Sequence, residues 1–544
     1  MTLLVVHSRL GKHCFEVANG LSVREALDIT TLRVRAACGG TGVCGACVIR
    51  LVGGEVSAPT VAEYMKLSSD ERAAGARLGC QVRLKGDTEI RLDRPAPPSP
   101  WKSIPPENLQ PIAHGLPDLR AHTLGVAVDL GTTQIRVSLL DRRSGRRIAT
   151  RRGPNPQGVY GADILNRLEA ARANSAHAAE LAKRVRTAIL RAVRDILARD
   201  IGEVKTMLAE IGQIFIVGNT AMLALLTGRG ADTLLDPAHW QGAIDCRPHD
   251  ATFWRAKEAL PCAELVMPDP VAGFIGSDLV ADLLATGLTE GPAGALLLDI
   301  GTNTEIALWD GATLHVTSVA GGPAFEGSGI RRGMAAEPGA IDSVCSVDNH
   351  YRWRTIGGGA PQGFCGSGLI DAIAVLLADG QLKPSGRFAT PPGPDGYPLD
   401  PNHPNTAITS SDIDVFQRAK AATAAAMSQL LIQAGMTWKD LRRLCICGAF
   451  GRTLRLEHAQ AIGLLPAVSP GSIELHAEAA LAGCEQALLS SDGARCFDAL
   501  TSKTKMINLS LLPDYEDRYI EHLRLRPIAL TPTTGAKALT EPTR

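Results

Sequence analysis

The chain is short of net charge, of long apolar runs and of paired cysteine frameworks, and each shortage excludes a class of protein. Its 56 basic and 56 acidic residues cancel to +0. No basic stripe stands out, which argues against a nucleic-acid partner, whose affinity would rest on phosphate neutralisation. No stretch of about 18 uncharged apolar residues occurs, so no membrane span is expected. The N-terminus, MTLLVVHSRL, lacks a basic flank followed by a long apolar run and reads as a strand, not a signal peptide. Thirteen cysteines, an odd number in so large a chain, fit reduced cytosolic thiols, some of them metal ligands, better than a disulfide framework. The expected location is cytoplasmic.

The 544 residues leave room for roughly three or four domains, with ordinary cores that need no staples. The Arg142-Arg143, Arg146-Arg147 and Arg151-Arg152 pairs lie in a turn-rich stretch and read as a solvated loop.

Near the N-terminus, Thr2–His7 and Cys14–Val17 are short apolar runs around a polar turn, a hairpin by pattern. Ser22-Val-Arg-Glu25 is a capping box opening a short helix, and Ser68-Ser-Asp-Glu71 offers another. Val48–Leu51 and Glu89–Leu92 read as strands. Just before the first of these strands stands Cys38-Gly-Gly-Thr-Gly-Val-Cys44-Gly-Ala-Cys47, followed much later by Cys80. Thiolates are the usual ligands of a [2Fe–2S] centre. Three on one loop and a distant fourth suit a binuclear cluster. Glycines at 39, 40, 42 and 45 let backbone N–H groups turn toward sulfur. Structural zinc prefers paired knuckles, and only one close cysteine pair exists here. Cys38, Cys44, Cys47 and Cys80 are the expected ligands.

Residues 95–122 follow, with prolines at 95, 97, 98, 100, 105, 106, 111 and 117. Such density favours extended polyproline II, and some 25 residues at ~3.1 Å each would span on the order of 75 Å. A semi-rigid arm on which the head swings is expected.

Beyond the arm, Gly125–Asp141 reads as strand, tight turn, strand around Asp129-Leu-Gly131-Thr132-Thr133. The shape returns 170 residues later in Ala295–Asp310, around Asp299-Ile-Gly301-Thr302-Asn303. An Asp at a strand end can hold Mg²⁺, usually through water. The glycine admits phosphate, and turn amides with hydroxyls form an anion nest. Two such turns predict two copies of one α/β unit facing each other across a cleft.

The pair resembles the phosphate loops of the actin, sugar kinase and heat-shock chaperone ATPases. Phe274–Gly287 resembles their first connecting helix, and Cys445-Ile-Cys-Gly448-Ala-Phe-Gly451 their adenosine loop. Cys445 and Cys447 read as small buried apolar residues. Residues 1–94 resemble the plant- and adrenodoxin-type [2Fe–2S] ferredoxins, with the adrenodoxin-like five-residue first gap. The second four-cysteine bundle of molybdenum hydroxylase small subunits is missing. Val217–Met222, Gly321-Gly322-Pro-Ala-Phe-Glu326-Gly327, Gly339–Ile341, Cys365-Gly366-Ser-Gly368-Leu-Ile-Asp371 and Ile408–Lys420 are together similar to one family, the ATP-dependent reductive activators of corrinoid proteins.

The resemblance implies an α+β and α/β multidomain chain. A β-grasp [2Fe–2S] ferredoxin fold occupies 1–94, a linker 95–122, and a duplicated ribonuclease H-like ATPase 123–527. The Thr- and Pro-rich tail 528–544 reads as disordered. The resemblance also implies one-electron reduction of an inactive Co(II) corrinoid methyltransferase protein to Co(I), with ATP and Mg²⁺ as further cofactors and an external low-potential electron donor. There is room for a homodimer. Asp129 and Asp299 are expected to organise Mg²⁺ and water, with Thr132, Thr133, Thr302 and Asn303 on phosphate. Glu326 is a candidate water-orienting base, or a carboxylate capping a turn. Gly131, Gly301, Gly321, Gly322, Gly448 and Gly451 are expected near nucleotide. Gly366 and Gly368 either approach it or only open a helix. Two departures stand out: the family's small middle domain is expected to be absent, and Ala477-Glu478 replaces a Gly-Asn before the last glycine-rich helix. The Pro-, Gly- and Asn-rich loop 383–404 reads as a functional or disordered excursion. A small-molecule kinase with a redox-sensing head, a non-catalytic ATP-gated adaptor and, more weakly, a dehydratase activator are the alternatives.

Overall fold

The first two strands, β1 (Thr2–Ser8) and β2 (Gly11–Val17), pair antiparallel and bury Leu4, Val6, Phe15 and Val17 on one face. In this computed structural model every residue is described except 1, 10, 31, 98, 105–115, 162–163, 249–250, 257–258, 349, 449, 451–453 and 529–544. The helix α1 (Val23–Asp28) starts where expected, its Ser22 and Glu25 exchanging cap bonds at 3.1 and 2.7 Å. The strands β3 (Val48–Val56), β4 (Ala76–Leu78) and β5 (Leu84–Leu92) complete a sheet ordered β2-β1-β5-β3-β4, with β1 and β5 parallel. The short helix α2 (Val61–Lys66) lies between β3 and β4. This is a β-grasp head, as expected.

The body repeats one sheet twice. In the first, β6 (Leu124–Leu130) has the antiparallel β7 (Gln134–Asp141) and β8 (Arg146–Pro154) on one side. The parallel β9 (Ile211–Gly218) and β10 (Glu264–Val266) lie on the other. In the second, β11 (Ala295–Ile300) has the antiparallel β12 (Thr304–Trp309) and β13 (Leu314–Val319) on one side. The parallel β14 (Arg443–Gly448) and β15 (Ile473–His476) lie on the other. One further strand, β16 (Thr504–Met506), extends the second sheet at its edge. Apart from Asp129 and Asp299 near their ends, the central strands β6 and β11 are apolar because helices cover both faces.

Five helices matter for the site. They are α3 (Ser175–Ile196), α4 (Ser277–Thr286), α5 (Gly366–Ala378), α6 (Ser410–Gln433) and α7 (Ala479–Leu489). The amphipathic α3 buries Leu181, Val185, Ile189 and Val193, and ends in a π-turn at Leu197–Ile201. Helices α4 and α7 cross between the sheets so closely that a methyl on Gly483 would collide with the Ala281 carbonyl. Around that crossing one core joins both sheets, from Ala127 and Phe215 to Leu297, Cys445 and Cys484. The connecting segment at Ala477-Glu478 therefore takes its place despite the departure in sequence.

Three expectations change. Two of the three arginine pairs do not lie in a solvated loop: Arg142-Arg143 stand in the turn before β8, but 146–154 is strand β8, Arg151 is 1% exposed, and Arg147 pairs with buried Glu485. Sequence pattern missed this because both side chains neutralise carboxylates from distant segments. The described start of the arm is packed, not swinging. Trp101 and Ile104 are buried, and Lys102 exchanges backbone bonds with Arg152 at 2.8 Å. Prolines 105, 106 and 111 lie outside the described residues. The 383–404 excursion folds back, burying Phe388 and Leu399 in the second core. The tail beyond Ile528 is likewise outside the described residues.

Candidate functional site

Both aspartate turns face the same cleft. Asp129 lies near the end of β6 and Asp299 near the end of β11, so the duplicated register brings the two carboxylates together. Gly131-Thr132-Thr133 and Gly301-Thr302-Asn303 link each central strand to its antiparallel neighbour. Thr133 Oγ1 lies 3.0 Å from Thr302 Oγ1, and both hydroxyls donate to Glu326 Oε2, at 3.2 and 3.0 Å. Glu326 is thus drawn into the phosphate turns by both repeats. Burial raises its pKa against these two bonds. Thr132 differs from its neighbour: it is buried, and its carbonyl accepts from Arg167 at 2.8 Å. Asn155 fixes the same turn by donating to the Gly131 carbonyl at 3.0 Å.

Asp129 accepts from Arg136 at 2.9 Å, and Arg136 also pairs with Glu478. Burial raises Asp129 while Arg136 opposes it. Asp299 is pushed up to about 6, first by burial and then by the Asp129 charge. Three further acids belong here: Asp278 and Asp282, four apart on α4, and Glu305 on β12. Burial and the neighbouring aspartates hold all three well above the usual carboxylate range. Sequence reading took the α4 stretch only as a connecting helix and passed over its acids. Their i, i+4 spacing, which puts them on one helix face, was the available signal.

Asp129, Asp278, Asp282 and Glu305 are buried and Asp299 half-buried; the five form one acidic cluster, in which Arg136 stands beside Asp129 and Asp299, and Asp282 Oδ2 has no hydrogen-bond partner among the described residues. Hard oxygen donors in negative excess fit a divalent cation.

The remaining glycines divide. Gly448 takes φ +73 and leaves no room for a side chain beside Asp299, so it belongs to the cleft. Gly451 lies outside the described residues. Gly321 packs on the Ala419 carbonyl, and Gly322 begins a short helix of residues 322–325. Gly366 and Gly368 are covered by the backbones of Phe325 and Ile341, and the helix starts at Gly366. Cys445 and Cys447 are fully buried, as expected. Cys445 approaches Glu474 and His476, but Arg443 holds that carboxylate at 2.7 and 2.8 Å.

The four head cysteines converge on one loop. Cys47 is buried, Cys38 and Cys80 half-buried, and Cys44 exposed. Glycines 39, 40, 42 and 45 all adopt positive φ, the conformation that lets amides turn inward. The Ala46 amide points at Cys44 Sγ at 3.4 Å, and Gln81 Nε2 at Cys80 Sγ at 3.5 Å. A hydrogen bond from Cys47 lowers Cys80 to about 6, with Arg24 assisting, while Cys47 itself is raised. Burial acts to raise Cys38, but amides of Cys44 and Gly42 and the Thr41 hydroxyl bring it to about 7. Four converging sulfurs with amides turned toward them suit iron–sulfur ligation.

The head is seated on the first sheet's helices by charge. Arg33 holds Asp195 at 3.1 and 2.8 Å. Arg151 reaches Asp195 at 2.6 Å and Asp200 at 2.5 Å. Arg24 also pairs with Asp200, and Arg199 with Asp28. The Gly39 amide donates to the Arg199 carbonyl at 3.2 Å, and a methyl on Gly39 would strike Asp200. One wall of the cysteine loop is therefore built by the body.

Comparison with known proteins agrees with this division. Residues 8–85 match the 2Fe–2S iron-sulfur cluster binding domain, 124–291 the RACo middle region, and 293–534 the C-terminal domain of RACo, the ASKHA domain. This chain belongs to the RACo family. Among its relatives, the corrinoid activation enzyme RamQ of Eubacterium limosum is 29% identical over 429 residues, 73% of this chain and 69% of that one. The [Co(II) methylated amine-specific corrinoid protein] reductase of Methanosarcina barkeri is 26% identical, over 63% of this chain and 66% of that one. A solved reductive activator for corrinoid, iron-sulfur protein shares the fold, with a TM-score of 0.64 at 24% identity over 97% of this chain and 100% of that one. The expected absence of a middle domain is corrected: 124–291 match that RACo region and fold as the first repeat. The iron–sulfur head and the ASKHA ATPase body are both present.

Proposed function

We propose that this RACo-family chain reactivates a corrinoid-binding methyltransferase protein, driving one-electron reduction of inactive Co(II) to Co(I) at the expense of ATP. The observation that carries the reading is the seating of a four-thiol loop against a body whose two repeats present facing phosphate turns. The names of the corrinoid activation enzyme and the Co(II) corrinoid protein reductase support the same activity.

Cys38, Cys44, Cys47 and Cys80 would hold the [2Fe–2S] centre. Such a centre supplies reversible one-electron transfer. The amides and hydroxyls around 131–133 and 301–303 would bind phosphates, and Asp129 and Asp299, within the cluster that includes Asp278, Asp282 and Glu305, would hold Mg²⁺, which would neutralise phosphate charge. A phosphate inserted between the turns would take the protons that Thr133 and Thr302 give Glu326 and free Glu326 to orient water. The lobes must then shift about the α4–α7 crossing. ATP thereby distinguishes two arrangements of the body, the condition for driving any equilibrium. Electrons come from an external low-potential donor. The odd number of cysteines, thirteen, four of them assigned to the cluster, supports a cytoplasmic site of action.

Asp299→Ala tests the coupling. The variant should lose ATP-dependent formation of Co(I), followed by stopped-flow spectroscopy of a Co(II) corrinoid protein, while its iron–sulfur chromophore still reduces with dithionite. Full ATP-dependent activation by the variant would sink the proposal.

A further inference from the structure

Helix α2 is turned inside out. Its acid, Glu63, is fully buried, while Val61, Tyr64 and Met65 are 79%, 59% and 80% exposed. The inversion is built, not incidental. Arg77 grips Glu63 at 2.7 and 3.1 Å, and the amides of Thr60 and Leu78 donate to the same carboxylate at 2.8 and 3.0 Å. Burying a carboxylate costs several kcal/mol unless it is paired and fully bonded. The fold meets that cost and leaves three large apolar side chains in water.

This face adjoins the cysteine loop. A methyl on Gly42 would lie 2.7 Å from the Ala62 Cβ, and one on Gly45 would lie 4.0 Å from Lys66 Cδ. Gln81 ties the parts together, accepting from Thr60 at 3.2 Å and donating to Gly40 at 2.6 Å and to the Cys80 sulfur. Val43, beside the exposed Cys44, extends the apolar patch at 60% exposure. The other side of the loop is closed: Gly39 is bonded to the Arg199 carbonyl, and a methyl on Gly202 would lie 2.7 Å from the Ala37 carbonyl. With the head seated, the Cys44 side is the open approach to the ligands among the described residues.

We infer that Val43, Val61, Tyr64 and Met65 form the docking surface for the protein that supplies the electron, a low-potential one-electron carrier. This rests on the reading that the four cysteines hold a [2Fe–2S] centre. Exposed apolar residues gathered in one patch mark interaction sites, unlike scattered ones. The patch is small, one short helix and one loop, as suits brief redox encounters under ~1,200 Å². On the proposed function the nucleotide-driven body is what responds to the cobalt-bearing acceptor, which leaves the patch on the head to the donor. In the encounter one electron passes from the reduced carrier to the oxidised cluster; no proton moves and no bond forms.

The test uses the full-length, cluster-loaded chain and the surface variants Val61→Asp, Met65→Asp and their double. The probe is a chemically reduced bacterial ferredoxin carrying [4Fe–4S] centres, mixed anaerobically in a stopped-flow instrument. The double variant should lose about tenfold or more in its second-order reduction rate, with dithionite reduction unchanged. Its binding to a gallium-substituted, redox-inert ferredoxin, read by NMR line broadening, should weaken in parallel. An unchanged rate with the carrier overturns the inference. So does an equal loss with dithionite, which would make the effect structural. Slowed cluster-to-Co(II) transfer with normal loading from the carrier would give the patch to the acceptor and overturn it too. No dithionite bleaching in any form, wild type included, would instead reject the cluster reading itself.

Discussion

Replacing Arg33 with Met should unseat the head without disturbing either active centre. Arg33 is buried in the head and makes two charge-assisted bonds across the seat, both to Asp195 of the body, at 3.1 and 2.8 Å. Each such bond contributes ~1.5–3 kcal/mol. Asp195 keeps Arg151, so about half the sum is lost, ~2 kcal/mol. At about 1.4 kcal/mol per tenfold, the seated-to-released ratio falls roughly 30-fold. Hydrogen exchange reads this directly, because the Gly39 amide is bonded to the Arg199 carbonyl across the seat. Exchange at Gly39 should quicken by roughly the same factor. Arg147→Met is the control. Arg147 lies on β8, pairs with buried Glu485 at 2.8 Å and takes no part in the seat. It should destabilise the body and leave Gly39 protection unchanged relative to its neighbours. Unchanged Gly39 exchange in folded Arg33→Met protein would refute the charge-seat reasoning.

Gly483→Ala should force α4 and α7 apart, because its methyl meets the Ala281 backbone and not a movable side chain. A loss of ~2 kcal/mol or more in denaturant unfolding is expected, with ATP coupling reduced more than ATP binding. The nucleotide- and metal-free chain should gain thermal stability as pH falls from 8 through about 6. The sign follows from the shifts: Asp299 is held near 6, and Asp278, Asp282 and Glu305 higher, all above their unfolded values. Protonation then favours the folded state, and that benefit is lost as pH rises through the folded pKa. Scanning calorimetry with and without Mg²⁺ and nucleotide checks it, and the same slope under both conditions would contradict a cation site among these acids.

The legible parts were those whose chemistry is local. A ligand loop shows its cysteines and glycines in one reading, and Ser22 and Glu25 announce their helix within four residues. The two aspartate turns were visible because each carries its own flanking strands. The long-range parts were not. Arg151 looked solvated beside its fellow arginines because its partners, Asp195 and Asp200, sit at the far end of α3. Asp278 and Asp282 looked like ordinary helix polarity because nothing in their own segment says that Asp299 faces them. The proline arm read as free because packing of Trp101 against Gly153 cannot be seen in either residue alone.

By itself the sequence determined which chemistry the chain carries, since thiol spacing and turn composition dictate ligand sets one short segment at a time. Tertiary structure alone decided how those pieces are wired. Pairing β6 with β11 as equivalents, crossing α4 over α7 at Gly483 and seating the head on a charged cradle join segments about 160 to 200 residues apart. Their stability lies in mutual burial and charge neutralisation, and neither exists until the partners meet.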